Sequence, residues 1–460
     1  MARQLFGTDG IRGVAGQYPL DEPTVFAIGK ALGDRLRAAA QHKRAVIGQD
    51  TRESSQWIAN TVAAGLLSAG IEVKSAGVIT TPGVAFLART DSFGAGIVIS
   101  ASHNPWMDNG IKVFSADGFK LPDEVEHQIE AQIFQLVAAK AAASAETAAI
   151  FRSLPGSTEL HQDYVRWLAR QVAGTDLKGM RVLVDCANGA AAAVAPDVFL
   201  ACGVQARFLH RAPDGRNINH DCGALHPQTV AGAVAAEPGG YDLGITFDGD
   251  ADRALFSDAA GRVVNGDAVL LLVGRDMQAR GALVGSLVVA TTMSNMGLEI
   301  ALRRSGIRML RAPVGDKYVL EEMLKHGSTL GGEQSGHIIF RDGDATTGDG
   351  LLTAMRVLQV MARAGKPLAE LVADLKVFPQ IIKNVRVREK KPLMEIPAVA
   401  SAINSAEKEL DGNGRVVVRY SGTEALARVM VEAEDETRMQ RLADAIVSAI
   451  QHALGTSSVT

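Results

Sequence analysis

The chain has 460 residues, 47% of them hydrophobic and 21% charged, a globular composition with room, at roughly 100 to 200 residues per domain, for about three or four domains. A net charge of -4 with no long lysine/arginine block excludes a general attraction to nucleic acid or acidic membrane, so a bound anion needs a local site. The start, Met1-Ala2-Arg3-Gln4-Leu5-Phe6-Gly7, has no basic-then-apolar signal and no apolar run reaches the roughly 18 residues of a membrane span, which points to the cytosol; Cys186, Cys202 and Cys222, without CxxC spacing, read as reduced and mostly buried thiols.

In chain order, Asp9-Gly10-Ile11-Arg12-Gly13 and Gly48-Gln49-Asp50-Thr51-Arg52 place arginines near strand ends, where salt bridges and anion contacts are both open readings. Ala45-Val46-Ile47 is expected to be a strand and Ser54 to Ala69 an amphipathic helix, with Ile58, Val62 and Leu66 four apart; Ile71-Glu72-Val73 is the next strand. The pattern recurs. Arg181-Val182-Leu183-Val184 precedes a helix ending Phe199-Leu200-Ala201-Cys202-Gly203-Val204, and Leu287-Val288-Val289-Ala290 precedes one ending Leu302-Arg303-Arg304-Ser305-Gly306-Ile307. Gly70, Gly203 and Gly306 share one slot, the left-handed position past a helix that glycine fills at least cost.

Repeated strand, helix, glycine and strand units build helix-covered sheets, whose ligands gather beyond the carboxyl ends of the strands. The alanine-rich stretch Leu136 to Ala149 reads as a helix end plus linker, with a boundary near 150. After Lys366-Pro367 the order changes to strand Ile381 to Val387, helix Ile396 to Leu410, a hairpin-type turn Asp411-Gly412-Asn413-Gly414, strands flanking Ser421, and a last helix near Glu436 to Leu454. The expected fold is α/β: three similar mixed-sheet α/β domains around a cleft (1-150, 151-255, 256-370) and a smaller C-terminal α+β domain (371-460).

Four stretches carry chemistry. Ser100-Ala101-Ser102-His103-Asn104-Pro105 follows the apolar strand Ile97-Val98-Ile99, and Gly110-Ile111-Lys112 follows closely, so Lys112 could steady charge or move a proton at Ser102. A structural turn fits the same residues. Asp248, Asp250 and Asp252 lie at i, i+2 and i+4 after the run Leu243 to Phe247, with Arg253 next; three converging carboxylates repel unless a cation joins them, and oxygen ligands of this kind suit magnesium. An EF-hand is excluded, since Arg253 stands at its glycine position and Ala259 at its glutamate.

In Gly332-Glu333-Gln334-Ser335-Gly336-His337, an extended backbone would point Glu333 and Ser335 the same way, an acceptor and a donor for vicinal sugar hydroxyls, though an ordinary loop fits too. Arg419-Tyr420-Ser421-Gly422-Thr423-Glu424, continuing to Arg428, has the ingredients of a phosphate cradle. Ser421 and Glu424 equally have the spacing of a helix capping box.

Together these stretches resemble the α-D-phosphohexomutase superfamily, over essentially the whole chain from Phe6-Gly7-Thr8-Asp9-Gly10-Ile11-Arg12-Gly13 to Arg428. Asn217-Ile218-Asn219, Cys222-Gly223, His226-Pro227 and above all Gln334, where relatives acting on mannose and glucose phosphates typically carry methionine or another residue, resemble the branch acting on glucosamine phosphates. The resemblance implies that Ser102 is a phosphoserine required for activity, and that one Mg2+ per chain sits between its phosphate and Asp248, Asp250 and Asp252. It implies that Lys112 and Arg253 flank the transfer, with Lys112 and His103 both open as general base. Arg12, Glu333 and Ser335, and at the far phosphate Arg419, Ser421, Gly422, Thr423 and Arg428, are implied as substrate ligands.

The implied reaction interconverts glucosamine 6-phosphate and glucosamine 1-phosphate through a 1,6-bisphosphate, a supply step for amino-sugar nucleotides and cell-wall precursors. The partner is then a small-molecule amino-sugar phosphate, with no nucleic acid or membrane, and a homodimer is allowed. A mutase for another hexose phosphate, a magnesium-dependent phosphatase and a sugar-phosphate sensor are the alternatives. Ala425, Lys317 and Trp106-Met107 depart from the superfamily's usual pattern without removing an implied ligand.

Overall fold

Three times along the chain a strand, a helix and a glycine return the backbone to a neighbouring parallel strand. The computed structural model describes residues 5–7, 9–39, 43–90, 92–140, 156–343, 345–420 and 426–455. Gly70, Gly203 and Gly306 all take φ values in the left-handed range, +80°, +74° and +73°, which a Cβ would strain. Each is followed by a strand parallel to the one before the helix.

The first sheet contains β1 (Phe6–Gly7), β2 (Gly10–Val14), β3 (Arg44–Gln49), β4 (Glu72–Val78), β5 (Ala95–Ile99) and β6 (Asp108–Ser115), in the order β1-β2-β6-β5-β3-β4. It is mixed: β3 is parallel to β4 and β5, whereas β6 is antiparallel to β5 and β2. The expected helix spans Ser55–Ser68 and buries Ile58, Val62 and Leu66 completely. Its partner, the helix Glu22–Ala38, crosses it at glycines, because a Cβ on Gly29 would lie 2.1 Å from Val62 O and one on Gly65 2.4 Å from Phe26 O.

The second sheet contains β7 (Arg181–Asp185), β8 (Gln205–Leu209), β9 (Leu243–Phe247), β10 (Ala254–Asp258) and β11 (Val263–Val264), in the order β11-β10-β9-β7-β8. The boundary read at 255 therefore falls inside β10, whose antiparallel pairing with β9 and β11 carries this sheet on to Val264. The third sheet contains β12 (Leu287–Thr291), β13 (Arg308–Ala312), β14 (Leu330–Gly332) and β15 (Ile338–Phe340), in the order β13-β12-β14-β15. The boundary near 150 lies outside the described residues, as does most of the alanine-rich stretch before it.

Two compact units emerge: Met1–Met293 with Gly306–Ala373, holding these three sheets, and Ser294–Ser305 with Asp374–Thr460. The second unit has the antiparallel sheet β16 (Gln380–Arg386), β17 (Gly414–Tyr420) and β18 (Leu426–Ala433), in the order β16-β18-β17. Val399, Ile403 and Leu410 of the helix Pro397–Leu410, and Leu442, Ile446 and Ile450 of the helix Glu436–Leu454, bury against Val429 and Val431. One expectation changes here. The turn at 411–414 joins a helix to a strand rather than two strands: Asp411 and Gly412 take φ +46° and +73°, and Asn413 N donates to Leu410 O at 2.8 Å.

Candidate active site

Strand β5 is buried along its whole length and ends at Ile99, so the turn that follows begins inside the protein. Ser102 is itself 1% exposed and stands at φ +52°, an unusual conformation for a residue with a side chain. Its Oγ donates to Asp248 Oδ2 at 2.7 Å and lies 3.4 Å from His103 Nδ1. The register of β5 on β6 pairs Val98 with Lys112, which brings the lysine up beside the same turn.

The carboxylates come from the link between β9 and β10, a tight antiparallel reversal that pairs Phe247 with Ala254. Asp248, Asp250 and Asp252 are all buried, and each offers an oxygen within 4.8 Å of the other two. Burial, reinforced by Asp252 and Asp250, holds the Asp248 carboxyl well above the usual carboxylate range. Asp250 Oδ1 and Asp252 Oδ1 are buried with no hydrogen-bond donor. Such oxygens are costly to bury unless a cation or donor meets them.

Lys112 supplies part of the opposing charge. Its Nζ lies 2.8 Å from Asp250 Oδ2, 2.9 Å from Asp9 Oδ2 and 3.7 Å from Asp252 Oδ2. Burial disfavours the ammonium, yet Asp250, Asp9 and Asp252 outweigh it and push the Lys112 pKa up. His103 moves the other way: burial first, then the cations Arg253 and Arg12, lower its pKa below the ordinary imidazole value. Thr81 donates to Asp250 Oδ2 at 2.5 Å, bracing the loop from the first sheet's side, and Arg253 N donates to Asp248 Oδ1 at 3.2 Å, closing the loop on itself.

A cavity of about 390 Å3 opens beside this cluster, walled by Asp9 and Arg12 near the first sheet, Asp252 and Arg253 on the carboxylate loop, and Asp316, Glu333 and His337 near the third. Arg12 is ion-paired with Asp9 and donates to Asn104 Oδ1 at 3.3 Å. Lys120 Nζ bridges Asp9 and Asp316 at 2.6 Å each, tying two walls together.

The comparisons with known proteins agree with this architecture. Models of the phosphoglucomutase/phosphomannomutase family match in four pieces: α/β/α domain I over residues 3–140, domain II over 162–261, domain III over 265–378 and the C-terminal domain over 382–449. A phosphoglucosamine mutase of Koribacter versatilis (strain Ellin345) is 66% identical over 455 residues, covering 98% of each chain. One of Solibacter usitatus (strain Ellin6076) is 53% identical, covering 99% of this chain and 100% of the relative.

The chain belongs to the phosphoglucosamine mutase family.

Among solved structures, a phosphoglucomutase/phosphomannomutase family protein from Burkholderia thailandensis has the same fold, with a TM-score of 0.76 at 24% identity over 98% of this chain and 99% of that one. Aspergillus fumigatus N-acetylphosphoglucosamine mutase, solved with GlcNAc-6P and magnesium, matches with a TM-score of 0.62 at 19% identity over 98% and 96%.

In this phosphoglucosamine mutase family member, the first unit thus brings together Ser102, His103, Lys112, Arg253 and the three aspartates, and its cavity adds Arg12 and Glu333. Glu333 and Ser335 do meet, with Ser335 Oγ 3.3 Å from Glu333 Oε2, but through a turn between β14 and β15 rather than an extended segment. Gly336 N closes that turn on Glu333 O at 3.0 Å, and Gly336 takes φ +94°. Gln334 points its amide at Asp267 Oδ2, 3.1 Å away, and is not part of the cavity wall.

In the second unit Arg419 and Arg428 are directly paired across β17 and β18. Ser421, Gly422, Thr423, Glu424 and Ala425 lie outside the described residues. The chain resumes at Leu426 as a strand, so the Ser421–Glu424 spacing caps no described helix. Of the departures from the superfamily pattern, Lys317 pairs with Asp123, and Trp106 stacks under the Arg216 guanidinium at 4.9 Å.

Among the described residues a second group, Asp185, His210 and Cys222, could also face a metal ion. Both Asp185 oxygens already accept backbone N–H groups, of Ala187 at 2.8 Å and Gly223 at 2.9 Å, which marks a loop brace. The cysteines carry no disulfide, with Cys186 and Cys222 buried and Cys202 half-buried. No helix among the described residues is long and apolar enough to cross a membrane. Asp9 and His337 stand inside stretches quoted from the sequence without a role of their own, and Asp316 and Lys120 were not singled out, because spacing along the chain carries no signal of a charge's distant partners.

Proposed function

We propose that Ser102 is the phosphate carrier through which this member of the phosphoglucosamine mutase family interconverts glucosamine 6-phosphate and glucosamine 1-phosphate. The observation that carries this reading is the placement of Ser102 Oγ, 2.7 Å from Asp248 Oδ2 in a buried turn beside three carboxylates. The sugar O1 attacks the phosphorus of phosphorylated Ser102; the O1–P bond forms as the Oγ–P bond breaks, and the O1 proton leaves to a base. In the resulting 1,6-bisphosphate, turned within the site, Ser102 Oγ attacks the other phosphorus, and O6 departs with a proton.

His103 is the base in this proposal. Its lowered pKa leaves the imidazole neutral at pH 7, whereas Lys112, held protonated among Asp250, Asp9 and Asp252, stabilises charge instead. Arg253 acts alongside it. The donor set of Asp248, Asp250 and Asp252 is all oxygen, and two of its buried oxygens lack a donor, which fits magnesium, one ion per chain, shared with the Ser102 phosphate. When bound, the ion neutralises the charge on the transferring phosphoryl group.

Arg12, Glu333 and Ser335 are assigned to the sugar phosphate, and Arg419, Ser421, Gly422, Thr423 and Arg428 to a phosphate. The register that sets Arg419 opposite Arg428 brings two guanidinium-bearing residues to one place on the sheet, which supports the last assignment. The same proposal holds four domains, with the second closing after Val264, a cytoplasmic location, an amino-sugar phosphate as the small-molecule partner without nucleic acid, and a homodimer as an allowed assembly.

The test follows 31P spectra with glucosamine 6-phosphate, Mg2+ and a trace of hexose 1,6-bisphosphate, alongside Ser102→Ala. The 1-phosphate should appear with the natural chain, and Ser102→Ala should lose both turnover and covalent phosphate. Inorganic phosphate released as fast as the 1-phosphate forms would favour a phosphatase, and a phosphorylated Ser102→Ala would remove the serine from its role.

A further inference from the structure

A residue with a side chain persists at φ +52° only where its surroundings over-determine it. At Ser102 the surroundings are chiefly one guanidinium. Arg52 has a fully buried side chain and all of its N–H groups engaged. Nε donates to Asp50 Oδ2 at 2.8 Å; one terminal nitrogen donates to Pro105 O and to Asp108 O at 3.0 Å; the other donates to Ser102 O and Asn104 O, both at 2.9 Å. Three of these donors therefore land on carbonyls of the serine turn itself, and the fourth on Asp108, where β6 begins.

Asp50 completes the clamp. Its Oδ2 also accepts from Ser100 Oγ at 2.7 Å, and Ser100 Oγ in turn accepts from Ser102 N at 3.0 Å, so the serine is gripped at both its N–H and its C=O. From the second sheet's side Asn219 Nδ2 donates to Ser102 O at 2.9 Å and to Asn104 O at 3.2 Å. Neither Arg52 nor Asp50 belongs to the cavity wall, and every Arg52 donor is engaged elsewhere than Ser102 Oγ.

We infer that Arg52, seated on Asp50, is a positioning residue for phosphoryl transfer: it holds the Ser102 turn in the left-handed conformation that aims Oγ at the carboxylate loop. The inference rests on the reading of Ser102 as phosphate carrier. A phosphorylated Ser102 brings about two negative charges against Asp248, Asp250 and Asp252, and the turn must resist that push and keep its aim through both transfers of each cycle. A planar fork bound to four carbonyls resists it; an ammonium with three donors does not. Arg52 acts on rate, not on substrate binding.

The experiment compares Arg52→Lys, Ser100→Ala and Asn219→Gly with the natural chain, well below each melting temperature. Glycine at 219 preserves the backbone, which stands at φ +58°. In Arg52→Lys kcat should fall about a hundredfold, the size of effect a displacement of about 1 Å produces, while KM stays within about threefold. The other two variants should lose kcat in the same sense, by about tenfold, because each cuts one strap.

Intact mass after incubation with a hexose 1,6-bisphosphate separates the two levels of failure. A natural chain that takes up no phosphate sinks the carrier reading and this inference with it. A phosphorylated natural chain with an Arg52→Lys kcat near normal sinks the inference alone. Should Arg52→Lys not fold, Ser100→Ala and Asn219→Gly decide: kcat lost at constant KM supports the clamp, and unchanged kcat in both overturns it.

Discussion

Lys112 Nζ lies 2.8 Å from Asp250 Oδ2, and both side chains are buried. The lysine comes from the middle of β6 and the aspartate from the link after β9, so the contact joins the first sheet to the second. The pair is surrounded by more carboxylate than ammonium. Asp9 and Asp252 compete for the same nitrogen, and the excess negative charge is what a divalent cation would balance.

Lys112→Met should therefore be costly. The lysine's pKa is raised on folding, so its contribution is fully present at pH 7.5, below the unfolded value, and would fade only in strong alkali. Urea unfolding without metal should show a loss of about 3–5 kcal/mol, the penalty for stranding buried carboxylates without their partner. A loss below about 1 kcal/mol would mean that other groups neutralise Asp250.

Magnesium should bind to the natural chain and raise its melting temperature, since a ligand that binds only the folded state stabilises it. Asp250→Asn and Asp252→Asn should each weaken that binding by at least about tenfold in calorimetric titration. Chelation should stop turnover and return of Mg2+ restore it. Undiminished affinity in both variants would move the ion elsewhere.

Arg428→Ala should raise KM for glucosamine 6-phosphate and for glucosamine 1-phosphate together, by about tenfold or more, as expected for a charged hydrogen bond worth about 1.5–3 kcal/mol. A shift in one direction of reaction only would argue against a phosphate contact shared by both. Steady-state kinetics run in each direction distinguish the two.

Asp349, next to Gly350, whose N–H donates to Ala251 O of the carboxylate loop at 3.0 Å, gives a pH signature of its own. Burial lifts its carboxyl to about 6, against the hydrogen bonds from Leu352 N at 2.9 Å, which caps the helix Gly350–Ala364, and from the Tyr164 hydroxyl at 2.7 Å. A raised carboxyl binds more protons folded than unfolded, so its contribution to stability declines as pH rises from about 4 to beyond 6. Asp349→Asn cannot titrate. Urea unfolding from pH 5 to 7.5 should show the natural chain losing ground relative to the variant, and a constant difference would remove Asp349 as the source.

Much of the site was legible because its groups are local. Asp248, Asp250 and Asp252 fall within five residues of one turn, and Ser102 follows a run whose apolar character already places it at a buried strand end. The repeated glycine slot was legible for the same reason, since a helix end and its left-handed residue are settled within a few positions. Glu333 and Ser335 do lie side by side, but on a different backbone from the one expected: alternation was assumed where Gly336 lets a turn form.

Sequence alone determined the family, the strand-helix-glycine-strand units, the serine and carboxylate motifs and the α+β ending. It left Arg52 between a salt bridge and an anion contact and Lys112 between a charge and a base. Tertiary structure seats Arg52 on Asp50 and backbone carbonyls and sets Lys112 among Asp250, Asp9 and Asp252. The pairing of Val98 with Lys112 and the return of β9 beside β7 bring Asp9, Lys112 and Asp250 together from distant segments. Charge and hydrogen bonding depend on separation in space, whereas spacing along a chain reports only its local backbone.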